Sequence, residues 1–356
     1  MNIKSSRRKF LEKSLWGAAG ISAYSLLSAC ASFDDYLFDD RAEFGDEVAI
    51  IGGGIAGLYM GYKLRESKTG FRLFEGGTAF GGRIKSNNGA DYGASLISSS
   101  DQRVLRLIKD LGLETKSLNK DYSYLAEGMQ SVTDGLVDRI IGLIPYRSLR
   151  LRWRLIEIEK VSAGFQLIFE HPTGQKRFVC KRVVLAIPPT QWMGIKGLLK
   201  LPEMQWANNW LETLRVENTI KLVLPSQFAA SPNKVLQTAK HESVNMRQII
   251  KKTVEGSVAE IDIDYINNSI TSIEYIYGVL KRHLQVNYAF ERLRSDQMYD
   301  WHQAKLIKGS YFRNFLAVPE SENPYFQVVG DFTAVKSMYR MQGALESVHV
   351  ALEELV

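Results

Sequence analysis

Cysteine and proline are scarce in this chain of 356 residues, which contains two of the first and nine of the second. No Cys-x-x-Cys or His-x-x-x-His pair occurs, so the sequence predicts no metal site. Cys180 ends a strand-like run and is interpreted as an inert core or edge residue. With 45% hydrophobic and 24% charged residues, the chain has the composition of a globular protein with a sizeable core. Its length favours two domains.

A basic surface of the kind that binds nucleic acid is also lacking. The formal net charge is +6, and residues 1–29 contribute +4 of it, which leaves +2 for the rest of the chain. The high isoelectric point therefore reflects the N-terminal segment, and we predict no nucleic-acid partner.

The N-terminal segment has the order of an export signal. The paired arginines Arg7 and Arg8 precede an apolar stretch, Leu15 to Ala29, that is too short to span a bilayer as a helix. The arginines resemble a twin-arginine signal, and Leu-Ser-Ala-Cys ending at Cys30 resembles the lipobox of bacterial lipoproteins, in which the cysteine is acylated. In lipoproteins of this kind, an aspartate directly after the cysteine favours retention in the inner membrane. Ala31 occupies that position here, which favours the outer membrane. An ordinary signal peptide that ends in cysteine is the alternative.

The acidic stretch that follows, residues 30–46, is interpreted as a solvated tether. With residues 1–29 as the signal peptide, these features predict a protein exported by the twin-arginine route. It would be lipid-anchored at Cys30 on the periplasmic side of a bacterial membrane.

Val48 to Glu75 has the order of a dinucleotide-binding βαβ unit. The apolar run Val48–Ile51 is typical of a strand buried on both faces, and Phe71–Glu75 is typical of a second strand. Between them lie glycines with the spacing of a phosphate-binding turn, followed by a helical pattern whose first N–H groups would face the phosphates. Glu75 lies where an acid is needed to bind ribose. The predicted dinucleotide contacts are Gly52, Gly54, Ile55, Ala56, Gly57 and Glu75.

The βαβ pattern alone does not separate NAD from FAD, but the residues after it are more specific. Gly81-Gly82-Arg83, followed by Asp91 to Ser95, resembles the flavin amine oxidase family and the related protoporphyrinogen oxidases and carotenoid desaturases. The resemblance implies that the cofactor is FAD. It also implies that Gly82 and Arg83 contact the cofactor phosphates and that Gly93 and Ala94 lie close to the flavin ring. A guanidinium suits the phosphate role, because it can bind with two parallel hydrogen bonds.

Later segments continue the resemblance. Arg150 to Ile158 alternates as a solvated strand does, and resembles the segment whose backbone meets adenine near Leu155. Val183 to Pro189 resembles the strand that returns the chain to the FAD domain. Near the C-terminus, Phe326–Asp331 and Gln342–Ser347 resemble the closing motif of the family. The residues that it implies for the ribityl–phosphate part and the flavin are Gly330, Asp331, Gly343 and Ala344.

These features predict an α/β protein. A Rossmann-like FAD-binding domain, of the glutathione-reductase type, would comprise residues 47–100, 150–195 and 306–356. An interleaved α+β substrate domain would comprise residues 101–149 and 196–305. Residues 233–273 have little periodicity, and their only assignment is to the substrate domain.

Three positions are predicted on the reacting side, all from the resemblance. Lys221 matches a lysine that bonds through water to the flavin N5 region, and Tyr311 matches one wall of an aromatic cage. Ser310 occupies the position of a cysteine that ties the flavin covalently in monoamine oxidases, so FAD is expected to be non-covalent here. Arg340 falls near the second cage position, next to Tyr339. A guanidinium facing the flavin would disfavour an ammonium substrate.

The function implied by the resemblance is hydride transfer from a small-molecule substrate carbon to flavin N5. Oxygen or another acceptor would reoxidise the flavin. One alternative is a flavin desaturase or dehydrogenase acting on an apolar or carboxylated molecule. Another is a non-catalytic lipoprotein that keeps FAD for structure and serves as an envelope partner protein.

Overall fold

The structure is a computed structural model. It describes residues 43–44, 48–142, 148–228, 236–241, 244–266, 278, 280–282, 294–307, 309–314, 316–319, 323–334, 337–338 and 340–355. The predicted export signal, with Cys30, lies outside the described residues.

Helices and strands alternate in the first part of the chain, and strands dominate the middle. Five α-helices have both ends among the described residues: Ile55–Glu66 (α1), Gln102–Asp110 (α2), Gln130–Ile141 (α3), Ala207–Glu212 (α4) and Met341–Leu355 (α5). Short 3-10 helices cover Pro189–Gly194, Leu198–Lys200, Pro202–Met204, Ser226–Phe228 and Ser295–Gln297.

The strands, in chain order, are Glu43–Phe44 (β1), Val48–Ile51 (β2), Phe71–Glu75 (β3), Ser86–Asn87 (β4), Ala90–Asp91 (β5), Ile97–Ser98 (β6), Thr115–Ser117 (β7), Tyr122–Leu125 (β8), Leu149–Leu151 (β9), Arg154–Val161 (β10), Gly164–His171 (β11), Gly174–Cys180 (β12), Arg182–Leu185 (β13), Arg215–Pro225 (β14), Leu236–His241 (β15), Val244–Thr253 (β16), Gly256–Ile266 (β17), Met298–Asp300 (β18), Tyr311–Arg313 (β19) and Phe326–Val328 (β20).

A five-stranded parallel sheet, in the order β20-β13-β2-β3-β9, forms the centre of the cofactor side. Val48 lies opposite Phe71 on one side and Arg182 on the other. The strands come from four separated stretches of sequence, so the polypeptide leaves this sheet and returns to it three times. The predicted α/β fold with a Rossmann-like parallel sheet is confirmed, and the βαβ unit from Val48 to Glu75 lies at its centre.

Both faces of the parallel sheet are covered, which explains why its strands are continuously apolar. Val48 and Ile50 belong to one core, with side chains of α1, α3 and α5. Ala49, Ile51 and Phe74 belong to a second core, which the β10–β11–β12 meander closes. Phe74 is 1% exposed, and burying a side chain of this size contributes about 1.5–3 kcal/mol to stability.

The segment from Arg150 to Ile158 is not one strand, and that prediction is wrong. The residues divide between β9, in the parallel sheet, and β10, in the meander. The chain turns at Arg152, whose φ is +66°. Arg150 is 2% exposed, so it is also not part of a solvated face.

A six-stranded sheet in the order β15-β16-β17-β14-β18, with β19 also paired to β14, forms the other large layer. Three of its strands lie within the stretch judged to have little periodicity, and that interpretation is wrong. Glu260, Asp262 and Asp264 alternate with apolar residues such as Ile261 and Ile263, as strand residues do. The sheet places these acids on the face that also carries residues of β14.

Among the described residues, no helix is both long enough and apolar enough to cross a membrane.

Candidate functional site

The glycine-rich turn after β2 is tightly packed at two of its three predicted glycines and open at the third. Gly52 has a φ of +111°, and a Cβ there would lie 2.5 Å from the carbonyl oxygen of Ala186. A Cβ on Gly57 would lie 1.9 Å from the carbonyl oxygen of Gly52, so helix and turn approach as closely as backbones allow. A Cβ on Gly54 would meet no atom within 4 Å, since this residue borders open space.

Helix α1 begins at this opening. Gly54 precedes its first turn, and no side chain caps the free N–H groups there. An uncapped helix N-terminus attracts anions, because its N–H groups and the helix dipole both favour negative charge. The local structure is therefore suited to a phosphate.

Glu75, at the end of β3, fixes the second side of the opening. Its carboxylate accepts hydrogen bonds from the backbone N–H of Gly53 at 2.7 Å and of Gly77 at 2.5 Å. Burial raises the pKa of Glu75, and these two hydrogen bonds act in the opposite direction. Each carboxylate oxygen has two lone pairs, so both retain the capacity to accept a ribose hydroxyl.

Arg83 joins two parts of the predicted cofactor site that are far apart in sequence. Its guanidinium donates to both carboxylate oxygens of Asp331, with Nη1 at 2.8 Å from Oδ2. Nη1 also donates to the carbonyl oxygen of Ser310 at 2.9 Å. The loop of Gly82 packs against the turn, because a Cβ on Gly82 would lie 3.2 Å from the Cα of Gly54.

Gly93 lies where three segments of the chain meet. A Cβ on this residue would lie 1.9 Å from the carbonyl oxygen of Arg83 and 3.1 Å from the ring of Trp301. The indole of Trp301 donates to the carbonyl oxygen of Tyr92 at 2.7 Å. These contacts hold Gly93 and Ala94 against the six-stranded sheet.

Lys221, on β14, is 1% exposed and lies at this junction. Its Nζ is 2.6 Å from Oδ1 of Asp262 and 3.5 Å from Oε2 of Glu260. It also donates to Ser95 Oγ at 3.3 Å and to the carbonyl oxygen of Gly93 at 3.5 Å. Burial alone would lower the pKa of Lys221, but the charges of Asp262 and Glu260 outweigh it and raise the pKa.

Two aspartates of β17, Asp262 and Asp264, line the cavity, and their pKa values are shifted in opposite directions. Although burial opposes it, the charges of Lys221 and Arg247 lower the pKa of Asp262 to about 2. Burial and the charge of Asp262 raise the pKa of Asp264 to about 6, and its carboxylate accepts a hydrogen bond from Thr219 at 2.6 Å. Our sequence interpretation missed both acids, although their alternation with apolar residues was a usable signal.

The C-terminal segment closes the site from the other side. The N–H of Gly330 donates to Ser347 Oγ at 3.0 Å, which ties the segment just after β20 to α5. A Cβ on Gly343 would lie 2.2 Å from the carbonyl oxygen of Ser337, so this glycine allows the start of α5 to pack. Ala344, the next residue, lies at the cavity wall.

One cavity of about 860 Å³ connects these features. Two predicted cofactor residues, Gly57 and Gly343, do not line it and instead permit close backbone packing behind it. The predicted cofactor residues that line it are Gly52, Gly54, Ile55, Ala56, Glu75, Gly82, Arg83, Gly93, Ala94, Leu155, Gly330, Asp331 and Ala344. Lys221 lines the same cavity, so the structure brings the predicted cofactor and reacting residues together.

The remaining predicted positions differ in their placement. Arg340 lines the cavity, but its side chain is 53% exposed and its Nη1 lies 3.6 Å from a carboxylate oxygen of Asp101. Tyr311 belongs to β19 through its backbone. The Tyr311 side chain and all of Tyr339 lie outside the described residues, so neither is placed here as a cage wall. An aromatic pair that was not predicted, Tyr299 and Trp301, lines the cavity with ring centroids 4.7 Å apart.

The residues present fit a bound FAD. The cavity has the size of a large organic ligand, with open space at Gly54, an uncapped helix and a ribose-suited carboxylate at one end. Ser310 Oγ is buried at the wall without a hydrogen-bond partner among the described residues. A buried hydroxyl without a partner is costly, and a ligand atom would satisfy it.

Comparison with protein families supports the assignment of Val48 to Glu75 as a dinucleotide-binding βαβ unit. Residues 50–111 match the family model of the NAD(P)-binding Rossmann-like domain. The match begins inside β2 and ends just after α2, so it covers the turn, Glu75 and Arg83.

Curated relatives match over a short part of the chain. The flavin-containing amine oxidase A of Equus caballus is 36% identical over 94 residues, which are 25% of this chain and 16% of that protein. The protoporphyrinogen oxidase 2 of Arabidopsis thaliana is 36% identical over 80 residues, 21% of this chain and 16% of that one. The chain therefore aligns with about a sixth of the length of each relative.

Solved structures match over most of the chain. Cyclohexylamine oxidase from Brevibacterium oxydans has a TM-score of 0.67 at 13% identity, covering 87% of this chain and 99% of that one. Putrescine oxidase bound to putrescine has a TM-score of 0.65 at 13% identity, covering 86% and 98%. At this identity the likeness establishes a shared fold.

Proposed function

We propose that this protein is an FAD-dependent oxidoreductase of the amine oxidase type. The observation that carries the proposal is that a single cavity joins the phosphate-suited turn at Gly54 to the buried Lys221 ammonium. One end is built for a dinucleotide, and the other places fixed charges where a substrate would meet its reactive ring. The similarity to flavin-containing amine oxidases supports FAD over NAD.

Particular residues would hold the cofactor. The α1 N-terminus at Gly54 would receive the pyrophosphate and Glu75 the adenosine ribose. Arg83 and Asp331 would bind the phosphate and ribityl parts, and Leu155 would lie beside adenine. Ser310 has a hydroxyl where covalent attachment would need a thiol, so we propose that FAD is bound non-covalently.

Bound FAD supplies the hydride acceptor for a substrate carbon. The chain would then do three things. Trp301 and Tyr299 would orient the substrate by contact with their rings. The buried network around Lys221 would exclude bulk water and present a fixed ammonium. Because its N–H groups face Asp262, Ser95 and the Gly93 carbonyl, the ammonium would act as a fixed positive charge and hydrogen-bond donor and would not act as a base.

The charges on the wall support an amine substrate. Asp264 lies on the cavity wall, where it would attract an ammonium, and it forms no ion pair within 4 Å among the described residues, although Arg247 and Lys221 are near enough to act on its pKa. Arg340, which could oppose such a substrate, lies beside Asp101 and is half exposed, so its charge is screened. Arg247 also lines the cavity, although Asp262 neutralises it. The second candidate is a carboxylated substrate, for which Arg247 would exchange part of its pairing with Asp262 for the ligand.

The cofactor part of the proposal is tested by purifying the mature protein. We expect a yellow protein that releases FAD on denaturation at about one equivalent per chain, and apoprotein that regains the flavin spectrum when FAD is added. A colourless protein that takes up NADH and no flavin would contradict the proposal.

We also propose that the protein is exported by the twin-arginine route and anchored by a lipid at Cys30, on the periplasmic side of a bacterial membrane. The motifs at Arg7-Arg8 and Cys30 support this. Cys30→Ala should release the protein from membranes, and Arg7→Lys with Arg8→Lys should block export. Unchanged localisation in both variants would contradict the proposal.

A further inference from the structure

Six charged side chains form a buried chain that begins at Asp91 on β5 and ends at Arg247 on the cavity wall. Neighbours along it have opposite charges, and the three positive and three negative groups balance. In order, the members are Asp91, Lys251, Glu260, Lys221, Asp262 and Arg247. The first five are at most 3% exposed, and Arg247 ends the chain at the cavity wall.

The sheet register produces this chain. Lys221 lies opposite Asp262, which lies opposite Arg247, so the three form one row across β14, β17 and β16. Glu260 lies two residues along β17 from Asp262, on the same face, because side chains alternate along a strand. Lys251, on β16, is on this face as well.

Glu260 connects the two lysines. Its Oε1 is 2.7 Å from Lys251 Nζ, and its Oε2 is 3.5 Å from Lys221 Nζ. Oε1 also accepts a hydrogen bond from the backbone N–H of Asp91 at 2.7 Å. Lys251 in turn donates to the Asp91 carboxylate. The position of Glu260, and with it the field at Lys221, therefore depends on Lys251 and Asp91.

A buried network of charges is a poor source of net stability compared with apolar side chains of the same size. Removing charged groups from water costs several kcal/mol each, and apolar replacements of buried ion pairs are often as stable. A lone buried lysine releases its proton near neutral pH, since burial disfavours the charged form. The six charged groups together reverse that tendency at Lys221, which stays protonated at the cavity wall.

We propose that Glu260 and Lys251 are positioning residues that act through Lys221, keeping its ammonium protonated and fixed at the cavity wall. The other described groups that face Lys221 are Asp262, Arg247, Ser95, the Gly93 carbonyl and, opposite it on β18, Tyr299. The role of the fixed ammonium toward a flavin rests on the proposed function, whereas the protonation state of Lys221 can be tested without it.

The test uses the apoprotein, so that it is independent of FAD. The unfolding free energy would be measured by denaturant titration between about pH 8 and pH 10, below the pKa of about 10.4 for an unfolded lysine. In the wild type the raised pKa of Lys221 lies above this window, so its stabilisation is complete there and is lost only at higher pH.

Asp262 remains 2.6 Å from Lys221 in Glu260→Gln, but its charge is shared with Arg247. We therefore expect burial to prevail there and the pKa of Lys221 to fall below that of the unfolded chain. The folded protein then binds fewer protons than the unfolded one, and stability rises with pH, by up to about tenfold in the unfolding equilibrium per pH unit. Lys221→Met with Glu260→Gln should abolish the rise. Glu203→Gln is the matched control, since Glu203 is another buried carboxylate paired with a lysine, Lys160, and lies outside the cavity.

If Glu260→Gln shows no rise, or if the rise persists in the double variant, the titrating group is not Lys221 and the proposal is overturned. Should Glu260→Gln not fold, Lys251→Met with Glu260→Gln keeps the chain neutral and is expected to show the same rise. In the FAD-loaded protein, the flavin midpoint potential should gain a pH-dependent break in Glu260→Gln that Glu203→Gln lacks. A protein that takes up no FAD would fail the proposed function, whereas the apoprotein result would still decide this inference.

Discussion

The guanidinium of Arg83 donates to both carboxylate oxygens of Asp331, across 248 positions of sequence. This pair fastens the loop after the βαβ unit to the turn that follows β20, the last strand of the parallel sheet. Because both residues also line the cavity, the pair orients the two groups that would meet the phosphate and ribityl parts of FAD. Without a ligand, each neutralises the other.

The first prediction concerns this pair. Arg83→Lys keeps the charge but loses the planar fork, and a hydrogen bond to a charged group contributes about 1.5–3 kcal/mol. We therefore expect FAD to bind roughly 10- to 100-fold more weakly, as measured by fluorescence titration of apoprotein. Arg294→Lys, which removes the corresponding fork from an exposed pair with Asp296, should leave the affinity unchanged. Equal effects in both variants would contradict the role of Arg83.

The second prediction is that alanine substitutions at Gly57 and at Gly54 have different effects. Gly57→Ala should destabilise the apoprotein by about 1–3 kcal/mol or more, because its Cβ would overlap the backbone of Gly52. Gly54→Ala should leave apoprotein stability nearly unchanged, since its Cβ would occupy open space, yet it should weaken FAD binding by at least about tenfold. Denaturant melts and FAD titrations of the two variants provide the measurement. Normal FAD affinity in Gly54→Ala would place the phosphate elsewhere.

The third prediction is a pH dependence at Asp264. Its pKa of about 6 in the folded protein exceeds the value of about 3.9 in an unfolded chain. The folded state thus binds more protons between these values, and stability falls as pH rises through this window. Asp264→Asn removes that loss, so the stability of the variant relative to wild type should increase by about 3 kcal/mol at most between pH 4 and pH 7. A difference that does not change with pH would contradict the assignment.

The fourth prediction concerns Cys180. Burial raises the pKa of its thiol to about 12, and the side chain is 3% exposed. In a Cys30→Ser background we expect no alkylation of the native protein at about pH 8 and full alkylation after unfolding, since the thiolate is the reactive form. Rapid labelling of the native protein would show that the core of the β10–β11–β12 meander opens readily.

The parts of the fold that could be predicted depend on local patterns. The βαβ unit is visible in sequence because β2 is apolar on both faces and each glycine meets a separate backbone requirement, as at Gly52 and Gly57. The break at Arg152 could not be predicted, since the alternation continues through it and only the pairing of β9 with β3 reveals the turn. Alternation alone does not say which sheet a strand joins.

The charged side of the cavity shows a different limit. Lys221 was found through a resemblance, but its partners Asp262 and Glu260 lie about 40 positions away and meet it only through the register of β14 with β17. Their alternation with Ile261 and Ile263 was a readable strand signal that was overlooked. That Lys251 also joins this network could not be read from sequence, because it depends on the pairing of three strands.

We propose that one cavity both binds FAD and is the place where a small molecule is oxidised. The most direct test of this proposal is anaerobic titration of the FAD-loaded protein with a panel of amines and amino acids, followed by the absorbance of the oxidised flavin. We expect at least one amine to bleach the flavin, and Asp264→Asn to raise the concentration of amine required. If dithionite bleaches the flavin and no member of the panel does, the protein is not an oxidoreductase of this type.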